Sequence, residues 1–401
     1  MEGALKGIRV IDLSHILAGP TATMILADLG AEAIHVEPPQ GDDAREYGPF
    51  VGKVDKDHSA YFISLNRNKK SMVLNLRHQK GKDILRELIK VSDVVVENYR
   101  PGTMRNIGFD WEEIQRLNPK TIYASISGFG HDTLPQYSNR PFYDVAAQAY
   151  SGLMSLTGPE QGPPCRVGAS MGDIIAGQQA AIGILAALFY RTITGRGQRY
   201  DGSMVDGLFF TLENAVVRYT TEGEIPKALG TAHPVIAPFQ AFPTRDSEIV
   251  IGIGGDKLWA HFCTVVGRRD LTDDARFRTN PLRAKNREIL VGILTQEIIK
   301  KTAKQWTNIF EKEGIPYSPV NNIKQICEDP HIQFRNMLVE IEQMGIGRMK
   351  IAGSPFRLSE TPGRVCHGAP SLGEHTEEIL TTVLKMPQSE ILSLRNEGVI
   401  N

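Results

Sequence analysis

Cysteine is scarce in this sequence, and neither sign of charge predominates. The 401 residues include only four cysteines, too far apart for the paired spacing of a zinc site or a disulfide framework. We expect no metal site, and reduced, small, buried side chains at Cys165, Cys263, Cys327 and Cys366. Lys and Arg number 45 against 46 Asp and Glu, so the composition argues against a nucleic-acid partner or an anionic membrane surface.

Long uninterrupted apolar runs are also missing. The longest, residues 174–190, contains two glutamines and two glycines, which favours a buried helix over a membrane span. The first residues lead directly into a strand pattern, without the basic start and apolar core of a signal peptide. We therefore expect a cytoplasmic protein with no membrane partner.

The common nucleotide-binding fingerprints are absent. The first predicted crossover, "LSHILAGPTAT", lacks the G-x-G-x-x-G that lets the backbone approach a pyrophosphate. The P-loop pattern G-x-x-x-x-G-K-[ST] does not occur either. NAD and FAD are thus disfavoured, and we expect no prosthetic group.

What is present is a strand–helix–strand pattern. "IRVIDL" at 8–13 predicts a strand, Pro20 suits the first position of a helix, and "AIHVE" at 33–37 predicts the next strand. Such a crossover implies a parallel sheet. The pattern continues through further predicted strands at 70–76, 93–99 and 121–130 and a helix at 81–92. Residues 1–200 therefore predict an open α/β sheet.

A change in composition marks a domain crossing. Residues 221–244 carry four prolines and little periodicity. Residues 240–325 then predict a smaller α/β domain with a glycine loop, "GIGGD", followed by loops and a terminal helical segment at 373–384. We predict a large domain built from 1–220 and 331–401, and a small domain at 221–330.

Two stretches attract chemical interest. Asp173 follows Gly172 at the start of the apolar helical run, as a helix N-cap does. The positive end of the helix would also keep a partly buried carboxylate ionised, and such a carboxylate is a usable nucleophile. The other stretch is basic and fits either a site for a small polyanion or a solvated face. It contains Arg67, Lys69, Lys70, Arg77, Lys80 and Lys82, with Arg100 and Arg105 beyond.

Over almost its whole length, the chain resembles the class III CoA-transferases, the family of formyl-CoA transferase and carnitine CoA-transferase. The resemblance implies a Rossmann-like large domain, a smaller α/β domain and a homodimer of interlocked rings, with arms near 205–235 and 325–345. It implies acyl-CoA and a carboxylic acid as substrates. The motifs that carry it are "GIRVIDLSHILAGPTATMILADLGAEAIHVEPPQGDDAR", "SLNRNKKSMVLNL", "DVVVENYRPGTMRNIGF", "RPFYDVAAQAYSGLMSLTGPEQGPP", "GASMGDIIAG", "TGRGQ", "GTAHPVIAPFQAFPT" and "LGEHTEEIL".

By this resemblance, Asp173 is the nucleophile. It attacks the donor thioester to give a mixed anhydride, and CoA thiolate then converts the anhydride to an aspartyl-CoA thioester. "GTAHPVIAPFQAF", "GPEQGPP" and "GIPYSPVNN" look most like the branch that moves CoA from succinyl-CoA to glutarate and related dicarboxylates. Carnitine, bile acids, aromatic acids and hydroxy acids are the alternative substrates. A second carboxylate would need a cation, for which Arg45, Arg140 and Arg166 are candidates.

The resemblance also implies the other site residues. Gly254 and Gly255 are predicted to close over the nucleophile and stabilise an oxyanion. Formyl-CoA transferase has a glutamine at the position of Leu17. The absence of that glutamine from this chain argues against oxalate and formate as substrates. The sequence also departs from that enzyme at Pro38 and Pro141, which replace basic residues. The predicted CoA-binding residues are His15, Ile16, Leu17, Ala18, Leu74, Asn75, Arg77, Asn98, Tyr99 and Arg100, with Arg105 or Arg140 as substitute cations.

Two other functions compete with transfer. The α-methylacyl-CoA racemases of the same superfamily pair their aspartate with a histidine that precedes an acidic residue, and here that pair reads Tyr143–Asp144. Tyrosine, with an unperturbed pKa of about 10, is a poor base at neutral pH. We instead predict that Tyr143 helps to position the anhydride. A non-catalytic CoA-binding protein would have lost the nucleophile, which is present here.

Overall fold

The computed structural model describes residues 3–52 and 58–401. Helices and strands alternate over the first two hundred residues, as the sequence predicts. The strands are β1 (Arg9–Asp12), β2 (Glu32–Glu37), β3 (Phe50–Val51), β4 (His58–Ser59), β5 (Lys69–Val73), β6 (Val94–Glu97), β7 (Ile122–Ser127), β8 (Arg199–Ser203), β9 (Phe239–Pro243), β10 (Glu248–Gly252), β11 (Tyr317–Pro319), β12 (Leu338–Gln343) and β13 (Gly347–Ala352).

The helices are mostly short, and one of them has 24 residues. A 3₁₀ turn occupies Asp43–Glu46. The α-helices are α1 (Ala18–Asp28), α2 (Ala60–Asn66), α3 (Gln79–Lys90), α4 (Thr103–Ile107), α5 (Trp111–Leu117), α6 (Pro135–Ser138), α7 (Asp144–Tyr150), α8 (Leu153–Leu156), α9 (Met171–Thr194), α10 (Met204–Phe210), α11 (Asn214–Glu222), α12 (Asp256–Val265), α13 (Asp270–Asp273), α14 (Asn280–Lys285), α15 (Arg287–Ile298), α16 (Ala303–Glu313), α17 (Ile323–Glu328), α18 (Pro330–Phe334), α19 (Thr376–Thr382) and α20 (Gln388–Asn396).

The larger of two compact units comprises residues 1–153, 167–217 and 330–401. Its sheet has the strand order β5-β2-β1-β6-β7-β8, and all neighbouring strands are parallel, which confirms the predicted α/β fold. Successive apolar residues of a strand lie on opposite faces of the sheet: Ile11 and Val95 pack on one side, Val10 and Val94 on the other. The strand order reverses between β1 and β6, where ligands bind in such sheets.

Helix α9 packs against α1 on one face of this sheet. At Gly177 a Cβ would lie 2.5 Å from the Ala18 carbonyl oxygen, so the two helices can approach this closely only with glycine there. By length and composition alone α9 could cross a membrane. Its buried positions, among them Ala176 and Ala180, belong to the core of the larger unit.

The smaller unit comprises residues 154–166 and 218–329. It contains the antiparallel sheet β11-β10-β9 and a core in which Trp259, Trp306 and Phe310 are buried. The predicted large domain included residues 154–166, but this segment belongs to the smaller unit. Local bonds hold it there: the Gly158 carbonyl accepts a hydrogen bond from the Gly230 amide at 2.9 Å.

Three local predictions were wrong. Helix α1 begins at Ala18, so Pro20 is its third residue; the first turn tolerates proline because its amides lack helical partners anyway. The predicted loops after residue 322 include the antiparallel hairpin β12–β13. Among the cysteines, only Cys263 is buried, and Cys366 is exposed.

Candidate active site

Two predicted CoA-binding turns lie side by side at the carboxyl edge of the sheet. The His15 amide donates to Asn98 Oδ1 at 2.8 Å, and Asn98 Nδ2 donates to the His15 carbonyl at 2.8 Å. The rings of His15 and Tyr99 are 5.4 Å apart. Because β1 and β6 are adjacent parallel strands, the turns that follow them meet at the point where the strand order reverses.

These turns and the start of α9 line one cavity of about 340 Å³. The cavity brings together residues that the sequence analysis drew from four separate parts of the chain. Asp173 lies in its wall, with Met204 and Pro141. The predicted site residues that line it are His15, Ile16, Leu17, Ala18, Asn98, Tyr99, Arg100, Arg140, Tyr143 and Asp173.

Other predicted CoA-binding residues lie outside this lining. Leu74 is 1% exposed and packs in the core beneath α3. The Asn75 amide donates to the Val399 carbonyl at 2.8 Å. Arg105 is exposed, with Nε 3.5 Å from Asp110 Oδ2. A role for these residues and for Arg77 in binding CoA stays a prediction.

The glycine loop belongs to the smaller unit. Gly254 and Gly255 lie between β10 and α12, and Gly255 has φ −116°, so the left-handed conformation is not used there. A Cβ added at either glycine would meet no atom within 4 Å. Packing therefore does not require glycine at these positions, and closure over the nucleophile stays a prediction.

Asp173 is the third residue of α9, not its N-cap. Ser170 occupies the N-cap position and makes no side-chain cap bond. The Gly172 amide donates instead to Oδ1 of Asp144, at 2.7 Å. The predicted capping role was wrong because the helix begins at Met171, two residues before Asp173, and another carboxylate accepts from an amide of its first turn.

The environment of Asp173 favours its neutral form. Burial and then the charge of Asp144 raise the pKa of Asp173 from 3.8 to about 7. Desolvation thus opposes the ionised form that the helix N-terminus is predicted to favour. Over residues 3–52 and 58–401, the Asp173 carboxylate has no hydrogen-bond or ion-pair partner. Its ionised form is thus weakly solvated and reactive.

Helix α7 holds the segment that leads to Asp173. Gln148 is fully buried; its Nε2 donates to Asp144 Oδ2 at 2.9 Å, and its Oε1 accepts from the Val167 amide at 2.8 Å. Together with the bond from Gly172, these contacts tie both ends of segment 167–172 to α7. Sequence reasoning missed Gln148 because no pattern distinguishes it from a surface glutamine.

A pair of tyrosines near Asp173 was also missed. The rings of Tyr47 and Tyr61 contact edge to face at 5.7 Å. Burial and then the charge of Asp173 raise the pKa of Tyr61 to about 12, so its hydroxyl stays protonated at neutral pH. Tyr61 is the second residue of the short helix α2. No local sequence pattern relates it to residue 173.

Arginines in the cavity wall are the available cations. The guanidinium carbon of Arg140 lies 5.4–5.8 Å from the ring centres of Phe129, Phe142 and Tyr150. Arg100 is exposed. Within the described parts of the chain, neither guanidinium has a carboxylate partner. Both cations therefore remain free for anionic parts of a ligand.

Other basic residues from the sequence analysis are already paired. Arg45 donates twice to Glu37 at 2.7 Å, so this candidate for a second substrate carboxylate is occupied. Arg166, another candidate, belongs to the smaller unit. Lys69 is buried, with Nζ 3.0 Å from Asp12. The basic stretch 67–82 is therefore not one surface.

Comparison with known proteins identifies a family and several relatives. CoA-transferase family III matches residues 5–376. The succinyl-CoA:glutarate CoA-transferase of Homo sapiens is 39% identical over 99% of this chain and 90% of its own length. The acetyl-CoA:oxalate CoA-transferase of Acetobacter aceti is 40% identical over 93% of this chain and 94% of its own length.

A solved structure shares the fold. A CAIB/BAIF family protein from Brucella suis superposes with a TM-score of 0.84 at 35% identity, covering 94% of this chain and 99% of that one. The cavity contains Asp173, which the resemblance predicts to be the nucleophile, and the turns predicted to bind CoA. The chain belongs to CoA-transferase family III and is a class III CoA-transferase.

Proposed function

We propose that this enzyme transfers CoA from succinyl-CoA to a short dicarboxylic acid, glutarate in the first place, with Asp173 as the nucleophile. One observation carries the proposal. An unpaired, partly buried carboxylate lies in the same cavity wall as two unpaired arginines and the turns predicted to bind CoA. Two relatives that act on dicarboxylates, glutarate and oxalate, support the substrate class.

The reaction begins when ionised Asp173 attacks the thioester carbonyl of the donor. The carbon–sulfur bond breaks, CoA leaves as a thiolate, and an aspartyl mixed anhydride remains. The thiolate then attacks the aspartyl carbonyl and releases the donor acid. The acceptor carboxylate attacks the resulting aspartyl-CoA thioester, and the same two steps in reverse deliver the new acyl-CoA.

The surroundings of Asp173 suit this sequence of steps. A carboxylate with a pKa of about 7 is largely ionised just above neutrality, yet weakly solvated and therefore nucleophilic. The protonated hydroxyl of Tyr61, whose pKa the charge of Asp173 helps to raise, could donate a hydrogen bond to the reacting groups once a substrate is bound. Neither group transfers a proton in the chemistry, in which carboxylates and thiolate exchange directly.

Arg140 is the proposed partner of the distal carboxylate of the substrate. A guanidinium presents paired donors that match a carboxylate, and aromatic rings restrict its orientation. Arg100, on the turn after β6, is the proposed partner of the CoA phosphates. A second cavity, of about 170 Å³, adjoins the 340 Å³ cavity and is lined by Pro38 and acidic residues. Its described lining contains no lysine or arginine.

The test is mass spectrometry of new acyl-CoA species. Succinyl-CoA is incubated with glutarate, oxalate, butyrate or carnitine and with wild type, Asp173→Ala or Glu46→Gln. The last variant removes a carboxylate on an exposed turn and serves as the control. Glutaryl-CoA formed by wild type and Glu46→Gln but not by Asp173→Ala supports the proposal. Transfer only to other acids, or hydrogen–deuterium exchange at the α-carbon without transfer, contradicts it.

We also propose that the enzyme is a homodimer, interlocked as the family resemblance implies. Large apolar side chains are exposed on α9 and α10 of the isolated chain, with Ile193 71% and Phe210 81% exposed. A second copy would cover such a surface. An interlocked dimer should not dissociate without unfolding, so a folded monomer in sedimentation at nanomolar concentration would contradict this proposal.

A further inference from the structure

The turn that forms one wall of the cavity has a strained backbone. Ile16 has φ +65°, in the left-handed region, which β-branched residues rarely enter because their Cβ crowds the backbone. Neighbouring Leu17 lines the cavity too, as do His15 and Ala18. A conformation of this kind persists only where the surrounding structure determines it, and such residues cluster at ligand sites.

The carboxylate of Asp42 holds this turn. The Ile16 amide donates to both oxygens of Asp42, at 3.1 and 3.2 Å. Asp42 is itself fixed on two sides: Oδ1 accepts from the Ala44 amide at 2.8 Å, and its own amide donates to Glu37 Oε2 at 3.0 Å. Since Asp42 is 3% exposed, water does not compete for these bonds.

Behind Asp42 runs a chain of buried basic and acidic side chains in alternation. His35 Nε2 lies 3.4 Å from Asp42 Oδ2, and His35 Nδ1 lies 3.2 Å from Asp12 Oδ2. Lys69 Nζ lies 3.0 Å from the same Asp12 oxygen. Lys69, His35 and Asp12 come from the adjacent strands β5, β2 and β1 and are at most 4% exposed.

Each member of the chain depends on the next. Lys69 Nζ also donates to Asn66 Oδ1 at 2.8 Å and to the Pro20 carbonyl at 3.1 Å, so its buried charge is fully satisfied. Asp12 accepts from the Thr23 hydroxyl at 2.7 Å. Removal of one partner from such a chain leaves an uncompensated buried charge, so the chain acts as a unit.

We propose that the buried chain Lys69–Asp12–His35–Asp42 is a positioning device that holds the Ile16 turn in its left-handed conformation and thereby shapes the acyl-CoA site beside Asp173. None of the four lies in the described lining of the 340 Å³ cavity. They act through Ile16 and are positioning residues, not catalytic ones. The inference rests on the proposed site at Asp173.

The test is a double-mutant cycle of Asp42→Asn and Ile16→Gly. Glycine enters the left-handed region without steric cost. We expect Asp42→Asn to lower kcat/KM for succinyl-CoA and the affinity for CoA by about ten-fold or more. The Ile16→Gly single variant is the reference for the second background. Relative to it, Asp42→Asn should lower kcat/KM and CoA affinity by less than about three-fold. An equal loss in both backgrounds would mean that Asp42 affects catalysis and CoA binding independently of the Ile16 conformation and would overturn the inference.

Two further measurements keep the cycle decisive. If Asp42→Asn does not fold, His35→Gln weakens the same chain one step further from the turn and should also be relieved by Ile16→Gly. Glu46→Gln, on the same turn as Asp42, is the matched control and should behave as wild type in both backgrounds. Loss of CoA affinity that Ile16→Gly does not relieve in either variant contradicts the inference.

The two proposals fail separately. CoA affinity is measured by calorimetry, without an acyl acceptor, so the cycle gives a result whichever acid the enzyme uses. If wild type binds CoA but forms no glutaryl-CoA, the proposed acceptor is contradicted. The double-mutant cycle, measured on CoA affinity, still tests the inference by the criterion given above.

Discussion

Asp144 acts on Asp173 in two ways. Its Oδ1 accepts the Gly172 amide at 2.7 Å and so fixes the first turn of α9, while its charge helps burial to raise the pKa of Asp173 to about 7. One carboxylate therefore both positions the proposed nucleophile and, together with burial, raises the pH at which it ionises.

The first prediction concerns the pH dependence of transfer. For wild type, kcat/KM should rise as the pH increases through about 7, because ionised Asp173 is the reactive form. Asp144→Asn removes the repelling charge and should move this midpoint to lower pH. The measurement is a pH–rate profile with succinyl-CoA. An unchanged midpoint would show that burial alone raises the pKa.

The second prediction is that loss of the nucleophile stabilises the protein. A raised aspartate pKa means that ionisation disfavours the folded state, so wild-type stability should fall as the pH rises from about 4 to about 7. Asp173→Asn should raise the unfolding free energy at pH 8 by about 1–3 kcal/mol and by almost nothing at pH 4. Urea unfolding at both pH values measures this. A variant less stable than wild type at pH 8 would contradict it.

The third prediction concerns the buried chain at high pH. Desolvation lowers the pKa of His35, but Asp12, Asp42 and Glu37 outweigh it and raise the pKa to about 9, although Lys69 is near. The stability from this cation is full below about pH 6.5 and is lost as the pH rises through about 9. The loss should amount to about 1–3 kcal/mol and should be absent in His35→Gln. Thermal unfolding between pH 6 and 10 tests it.

The fourth prediction concerns Gln148. Its removal frees segment 167–172 and should lower kcat by about ten-fold or more, because the nucleophile is no longer held, while CoA affinity stays near that of wild type. Gln148→Ala is compared with Gln115→Ala, at an exposed position of α5. Steady-state kinetics and calorimetry separate the two effects. Equal loss of both kcat and CoA affinity would indicate a general structural defect.

The fifth prediction concerns substrate choice. Arg140→Gln should raise KM for glutarate by about ten-fold or more and leave KM for butyrate nearly unchanged, because only the dicarboxylate loses an ion pair. Arg140→Lys should restore part of the affinity. If Arg140→Gln instead raises KM for succinyl-CoA, weakens CoA binding and affects the two acids alike, Arg140 binds the CoA phosphates.

Local sequence patterns were sufficient for the strands and for the turns after them. β1, β6 and β7 lie within the predicted segments and β2 begins one residue before its segment, since short runs rich in Val and Ile are buried on both faces of a parallel sheet. The hairpin β12–β13 was missed because its alternation is half-exposed and charged, as in "LVEIEQ". The cap of α9 was missed because the capping carboxylate lies 28 residues away in sequence.

By itself, the sequence determined the α/β class, the family and the identity of Asp173 as the central carboxylate, because these depend on local periodicity and on motifs. Tertiary structure decided the surroundings of that carboxylate: Asp144 and Tyr61 interact with it electrostatically, and Gln148 holds the segment before it, only in the folded chain. It also decided that Lys69 is buried in a charge chain, although the residue lies in a stretch that resembles a solvated face. Burial and charge pairing are properties of neighbours in space, so patterns along the chain could not predict them.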